Sequence, residues 1–326
     1  MNSNAEMHRI LIFIGILSSF FTALTSRGQQ PLPEGDLIIF HAGSLSVPFK
    51  EIAQAFMKEY SAVNVQLESA GSIASARKIT DLHRACDILA SADYTVIDNM
   101  LIPSYADWDI RFVSNEMAIV FNEKSTKADQ ISAVNWTDIL LDPSVRFGRS
   151  DPNSDPCGYR TIMTVQLAEK YYHRPGLEQG LMMKDQRYIR PKEVDLIALL
   201  ESQTIDYIFI YKSIARQHGL NYLSLPDEIN LGNPKFDSLY ATVSVAINGG
   251  KPGKKIVVRG ESMTYGITIL RDAPNREAAI SFLEYLLDSG KGMKILSNNG
   301  QPSVIPMRTP GYDNVPESLT SFCKSE

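Results

Sequence analysis

Two carboxylates, two serines and a tyrosine stand where side chains could hold a small charged ligand. Asp155 directly precedes Pro156, a pair that reads as an N-cap followed by the one helical position that tolerates proline. Glu193 follows Arg190-Pro191-Lys192, and apolar residues at 194, 196, 197, 199 and 200 predict a helix with Glu193 in its first turn. Ser44 and Ser72 lie in the small-residue turns Ala42-Gly43-Ser44 and Ser69-Ala70-Gly71-Ser72, each between a β-prone run and an amphipathic one. Tyr211 ends the apolar run 205–211, a strand fit to be covered on both faces. Helix N-termini present unpaired N–H groups and a partial positive charge, so they hold oxyanions without Lys or Arg. A serine in such a turn is also a common cap that binds nothing. The carboxylates pull the other way, since two like charges in contact cost about 4 kcal/mol at a near-surface dielectric. As caps and dipole-favoured acids they need no ligand at all. To take part in binding, their oxygens must meet a cation or a Lewis-acidic metal, and hard oxygen ligands completing six-coordination around a high-valent metal would serve.

The elements that must position these residues alternate. Residues 36–41 form a β-prone run, followed by an amphipathic helix carrying Phe49, Ile52, Ala53, Phe56, Met57 and Tyr60 at three-and-four spacing. A strand at 63–67, a helix at 73–84, a strand at 86–90 and a helical stretch to about residue 100 continue the pattern. Such β-α alternation predicts a parallel sheet with right-handed crossovers, whose ligand crevice lies outside the strand ends. The long β-like run 111–121 suits a crossing into a second lobe. That lobe is expected to hold a helix at 136–141, a strand at 145–148, a helix from 156 to about 172, and strands at 222–225 and 240–248. Residues 251–255 read as a hairpin tip, 263–270 as the return crossing, and 276–289 and 290–297 as helices packing back on the first lobe. The expected division is a leader at 1–28, a first lobe of 36–112 plus 263–326, and a second lobe of 113–262.

Composition narrows the class. With 326 residues the chain suits two lobes better than one core. Its 44% hydrophobic and 21% charged residues are ordinary for a soluble globular protein. Net charge is −5, and losing residues 1–28, with Glu6, Arg9 and Arg27, would make it −6. Acidity of this order argues against nucleic acid as a partner. His8 and Arg9 precede an apolar run over 10–24 and then Thr25-Ser26-Arg27-Gly28, the layout of a secretory signal peptide too short to favour a spanning helix. No Cys follows that run to carry a lipid anchor. Cys86, Cys157 and Cys323 are odd in number and widely spaced, which speaks against a disulfide framework or a zinc cluster while leaving one bridge open.

Five collinear motifs carry a resemblance: Phe40-His41-Ala42-Gly43-Ser44-Leu45, Ser91-Ala92-Asp93-Tyr94, the run Ser150-Asp151-Pro152-Asn153-Ser154-Asp155-Pro156-Cys157-Gly158-Tyr159-Arg160, Arg190-Pro191-Lys192-Glu193, and Asp206-Tyr207-Ile208-Phe209-Ile210-Tyr211. Over about residues 36–310 the chain resembles the molybdate/tungstate-binding proteins of ABC importers, the ModA family, in its tungstate-type WtpA branch. The resemblance implies an α/β, two-lobed periplasmic binding protein of type II, with two crossing strands as hinge. It implies hydrogen bonds to the oxyanion from Gly43, Ser44, Ser72, Asn153, Ser154, Asp155, Cys157 (through its N–H) and Tyr211. Asp155 and Glu193 would bond the tungsten or molybdenum itself. The implied ligand is tungstate or molybdate with no other cofactor. The implied partners are the membrane subunits of an ABC permease, for a monomeric, extracytoplasmic carrier. The segment between Tyr172 and Arg190 is shorter than the family pattern.

Two other readings compete. Cys157 at a helix N-terminus would have a lowered pKa and could serve as a nucleophile, with His173 or His218 approaching in space. A ferric-iron site would use Tyr207 and Tyr211, which face the same way but stand about 13 Å apart along one strand. A sulfate site has no use for two carboxylates.

Overall fold

The structure, a computed structural model, describes residues 32–249 and 253–325; the leader expected at 1–28 and part of the hairpin tip expected at 251–255 lie outside them. Within the unit that begins at Pro33, two five-stranded sheets each form the centre of a lobe. The first sheet has β1 (Gly35–His41) flanked in parallel by β2 (Val63–Ser69) and β3 (Ile88–Ser91). Beside β3, β12 (Thr264–Ile269) runs antiparallel and pairs in turn with β4 (Ile110–Ser114). In the second sheet β6 (Phe147–Ser150) is flanked in parallel by β7 (Ile189–Arg190) and β8 (Tyr207–Tyr211). There β5 (Met117–Phe121) runs antiparallel to β8 and to β9 (Asn221–Ser224). This is the expected α/β, two-lobed fold of type II.

The run over 111–121 is two strands, not one. Asn115 and Glu116 interrupt it between β4 and β5, so the chain leaves one sheet and enters the other there. The return passes from the hairpin β10 (Ser244–Asn248) and β11 (Lys255–Arg259) into β12. Residue 240, expected in a strand, instead ends the short helix Asp237–Tyr240. Asp237 opens that turn and its carboxylate accepts from Ser262 N–H at 2.7 Å, a tertiary contact that overrides the β preference of Tyr.

Each lobe has an aromatic centre. In the first, Phe56 on α1 (Ser46–Glu59) meets Phe282 edge-on at 5.2 Å, and Phe49 completes the cluster. In the second, Phe209 of β8 takes Trp136 and Phe147 edge-on at 5.9 and 5.8 Å. β8 and β12 are buried along their whole length, as strands covered on both faces must be. Cys86, Cys157 and Cys323 are free and buried, so the bridge left open by their spacing does not form. Among the described residues no helix is long and apolar enough to cross a membrane.

Candidate functional site

The site is built from turns that follow parallel strands and meet between the sheets. After β1, Gly43, Ser44 and Leu45 make one 3-10 turn before α1, and all three are buried. After β2, Gly71 caps α2 (Ser72–Thr80). After β6, an Asx turn at Asp151 gathers residues 153–155: its side chain accepts the Asn153 N–H at 2.9 Å and its carbonyl the N–H groups of Ser154 and Asp155. Asp155 then caps α5 (Pro156–Tyr171) as expected, its Oδ1 accepting from Cys157 N–H at 3.1 Å.

Glu193 is not in the first turn of a helix. α7 (Asp195–Glu201) starts two residues later, because residues 192–197 wind first through i→i+3 bonds such as Leu196 N–H to Glu193 O at 3.1 Å. This leaves the Glu193 N–H free to donate to Asp155 Oδ2 at 3.0 Å. The two acids are therefore tied together, Asp155 using one oxygen as a cap and the other as the anchor of Glu193.

Beyond that anchor, the Glu193 carboxylate reaches across to the first lobe. A Cβ on Gly43 would stand 2.7 Å from each of its carboxylate oxygens, so only glycine admits it there. Both oxygens are buried without a hydrogen-bond partner; the N–H groups of Ser44 and of Glu193 itself face the carboxylate and favour its charge, but neither is aligned for a bond. Burial, then the like charge of Asp155, pushes the Glu193 carboxyl well above the usual carboxylate range. Burial raises Asp155 too, against its contacts with Glu193 and the Cys157 N–H. Closed on each other, the two acids do not both ionise.

The donors are arranged around this pair. Ser72 Oγ accepts from Ala92 N–H at 2.9 Å, which leaves its own proton available. Ser44 Oγ lies 2.8 Å from Tyr265 Oη. Tyr211 Oη accepts from Arg160 Nη1 at 3.1 Å. Asn153 and Ser154 face elsewhere: their side chains bond Asp151, and Asn153 Oδ1 also takes the Asn248 N–H. Their carbonyls join the lobes, Ser154 O accepting from Ala74 N–H at 3.1 Å and Asn153 O from Arg77 at 3.2 Å. Gly71 allows this approach, since a Cβ there would stand 2.3 Å from Ser154 O. The Cys157 N–H is committed to the Asp155 cap.

Sequence reasoning passed over Arg160, Asp93, Asn115 and Tyr265. Arg160, on α5, bonds Asp93 of the first lobe at 3.1 Å, with each side chain 4% exposed. It also donates to Ala92 O at 2.7 Å, while Tyr159 donates its hydroxyl to Asp93. Burial works against the Arg160 charge, but Tyr211, Asp93 and Tyr159 outweigh it and raise its pKa further. The signal was present: Arg160 is the one charged residue between Asp155 and Glu169 on a helix otherwise made for burial.

The rival chemistries fare differently here. Cys157 donates to Phe209 O at 3.7 Å, and burial, then Asp155, pushes its thiol well up. The expected lowering at a helix N-terminus is reversed, because the neighbouring acids and the apolar wall outweigh the dipole. Tyr207 bonds Thr126 O at 2.7 Å, away from Tyr211.

Two sheets joined by two crossings, with buried donors and acids from both lobes meeting between them, are the architecture of a two-lobed solute-binding protein. The chain belongs to the bacterial extracellular solute-binding protein family, whose profile matches residues 37–300. An uncharacterized solute-binding protein of Petrotoga mobilis is 46% identical over 291 residues, 89% of this chain and 90% of that one. The molybdate/tungstate-binding protein WtpA of Pyrococcus abyssi is 43% identical over 342 residues, 97% and 96% of the two chains. Among solved structures, the periplasmic molybdate-binding protein of Azotobacter vinelandii matches with a TM-score of 0.61 at 14% identity, covering 83% of this chain and 99% of that one. At that identity the match speaks for the fold.

Proposed function

We propose that this protein captures molybdate or tungstate between its lobes outside the inner membrane and delivers it to the membrane subunits of an ABC permease. The observation that carries the reading is Glu193, whose two buried oxygens lie on Gly43 beside buried Asp155 with no donor aligned to either. Once ionised, carboxylate oxygens only accept, so a counterpart that holds both acids charged must be electron-poor. Among the described residues no three His, Cys, Asp or Glu side chains group to hold a metal. A pair of carboxylates is a poor cage for a bare cation, and suits a metal centre that brings oxygens of its own. Asp155 and Glu193 then take two positions on the metal, while the Ser44 N–H and the hydroxyls of Ser44, Ser72 and Tyr211 take the anion's oxygens. Asn153, Ser154 and the Cys157 N–H serve by fixing Asp155 and the closure. The 43% identical WtpA of Pyrococcus abyssi supports this ligand class. An export leader over residues 1–28, a monomeric carrier and hinge motion at the two crossings belong to the same reading.

Isothermal titration with molybdate, tungstate, sulfate and phosphate tests the ligand. The first two are expected to bind, and sulfate and phosphate far more weakly. A tungstate-soaked crystal tests the chemistry. Tungsten with its own four oxygens alone, and both carboxylates turned aside, ends the coordination mechanism.

A further inference from the structure

A chain of buried side chains runs from the first crossing to Ser44. Asn115 sits between β4 and β5, and its Oδ1 accepts the N–H of Glu116 at 3.0 Å and of Ser213 at 3.4 Å. Those two contacts fix which end of the amide is oxygen. Nδ2 therefore points the other way, donating to Ser213 Oγ at 2.8 Å and to Tyr265 Oη at 3.0 Å. Ser213 lies in the helix after β8, in the second lobe, and Tyr265 on β12, in the first. Having accepted the Asn115 N–H on its oxygen, the Tyr265 hydroxyl still has its own proton to place. Ser44 Oγ, at 2.8 Å, is its other partner among the described residues. All of these side chains are buried, and a buried hydroxyl proton aimed at nothing is costly. The one proton this chain leaves over therefore belongs on Ser44, where a bound anion can take it, and not on Tyr265, which has no other partner among the described residues to give it to.

From this geometry we infer that Asn115 and Tyr265 are positioning residues for ligand binding: they set the direction of the Ser44 hydroxyl, so that it offers the cleft a proton and not a lone pair. Polarity passes one way, from the Asn115 amide to the Tyr265 oxygen and from the Tyr265 hydroxyl to Ser44 Oγ. The Ser44 proton is left over, on the residue whose N–H faces the Glu193 carboxylate. An oxyanion in the cleft then meets a donor oriented before it arrives, which removes a reorientation cost on binding. The relay also ties the crossing to the ligand site, through one residue bonded to both lobes. This inference rests on the proposed binding of an oxyanion at Ser44.

Asn115→Asp puts an acceptor where the donor stood. Tyr265 then gives its proton to the new carboxylate and accepts from Ser44, which turns a lone pair toward the anion. Tungstate affinity, measured by isothermal titration, is expected to fall by about thirtyfold, the scale of one hydrogen bond to a charged group. The added charge weakens binding in any background, so the same substitution is made in Tyr265→Phe. There the relay is already cut, and N115D is expected to cost less than about threefold. Equal losses in both backgrounds overturn the relay. If N115D fails to fold by circular dichroism, Tyr265→Phe alone decides: it adds no charge and is expected to weaken tungstate about threefold to tenfold, whereas unchanged affinity overturns the inference. Wild-type protein that binds neither molybdate nor tungstate overturns the proposed function and this relay with it.

Discussion

The second strand of each sheet, β1 in one and β6 in the other, has the same neighbours in the same order. Each is flanked by two parallel partners, then an antiparallel strand supplied across the hinge, then an edge strand antiparallel to that one. The turns that follow corresponding strands can therefore be compared directly. After β1 stand Gly43 and Ser44, and after β6 Asp155. After β2 stand Gly71 and Ser72, and after β7 Glu193. At these two places the first lobe offers hydrogen-bond donors and room, and the second offers acceptors. The third pair, Asp93 after β3 and Tyr211 at the end of β8, converges on one guanidinium, that of Arg160. The fold fixes where the turns meet, and side chains alone decide which partner each lobe recognises.

The largest effect is expected where the lobes are joined regardless of ligand. Asp93→Asn keeps the cap on Thr95 N–H, which uses Oδ1, but leaves Arg160 buried without its charge partner. Removing one member of a buried pair costs about 3–5 kcal/mol. On the proposed hinge motion the cost falls on the closed form, since opening returns Arg160 to water. Affinity for every anion bound should therefore drop by more than about a hundredfold, while the thermal midpoint of the ligand-free protein moves little. Unchanged titration curves would mean the ion pair plays no part in closure.

A smaller effect separates the two kinds of turn. On the proposed coordination, Glu193→Gln removes a metal ligand and, with it, an acid that the incoming anion must face. Tungstate affinity should fall by about tenfold to a hundredfold, while any residual sulfate affinity rises because repulsion is relieved. On the same reading Ser72→Ala removes a donor to oxygen, along with the acceptor of the Ala92 N–H, and should weaken both anions alike, by about fivefold. Competition titrations on the two variants test the contrast. Parallel losses of tungstate and sulfate in Glu193→Gln would erase the distinction between the lobes.

Much of this arrangement could be read before any coordinates. Asp155-Pro156 announces its cap, and the small-residue turns at Ser44 and Ser72 follow β-prone runs as crevice turns do. What stayed hidden depended on partners distant in sequence. Glu193 looked like a first-turn acid because Pro191 and the apolar spacing favour a helix there, whereas the i→i+3 lead-in is stabilised by a bond to Asp155, 38 residues away. Asn115-Glu116, a polar pair inside an apolar β run, was a visible break that pattern reading smoothed over. Tyr265 gives no local sign at all, since a tyrosine in a fully buried strand looks the same whether or not its hydroxyl carries polarity. The likeness of the two sheets is equally silent, because it resides in strand order and not in repeated sequence.

The last effect is on stability and concerns Glu261, an acid just before the return crossing that faces the first lobe. Glu261 accepts from the Tyr94 hydroxyl at 3.0 Å and lies within the field of Asp93, Arg160 and Asp237. Burial, then Asp93, raises its carboxyl from an ordinary 4.5 to about 7. A raised carboxyl stabilises the fold while protonated, so its contribution is complete below about pH 4.5 and is lost as pH climbs through 7. Glu261→Gln keeps an acceptor for Tyr94 and cannot titrate. Asp109, also raised to about 7, is common to both proteins and cancels in their difference. Denaturant unfolding should find the variant and the wild type alike near pH 4.5, with the variant gaining about 3 kcal/mol by pH 8. A constant difference across that range would show that Glu261 stays ionised, and that the first lobe tolerates a second charge beside Asp93.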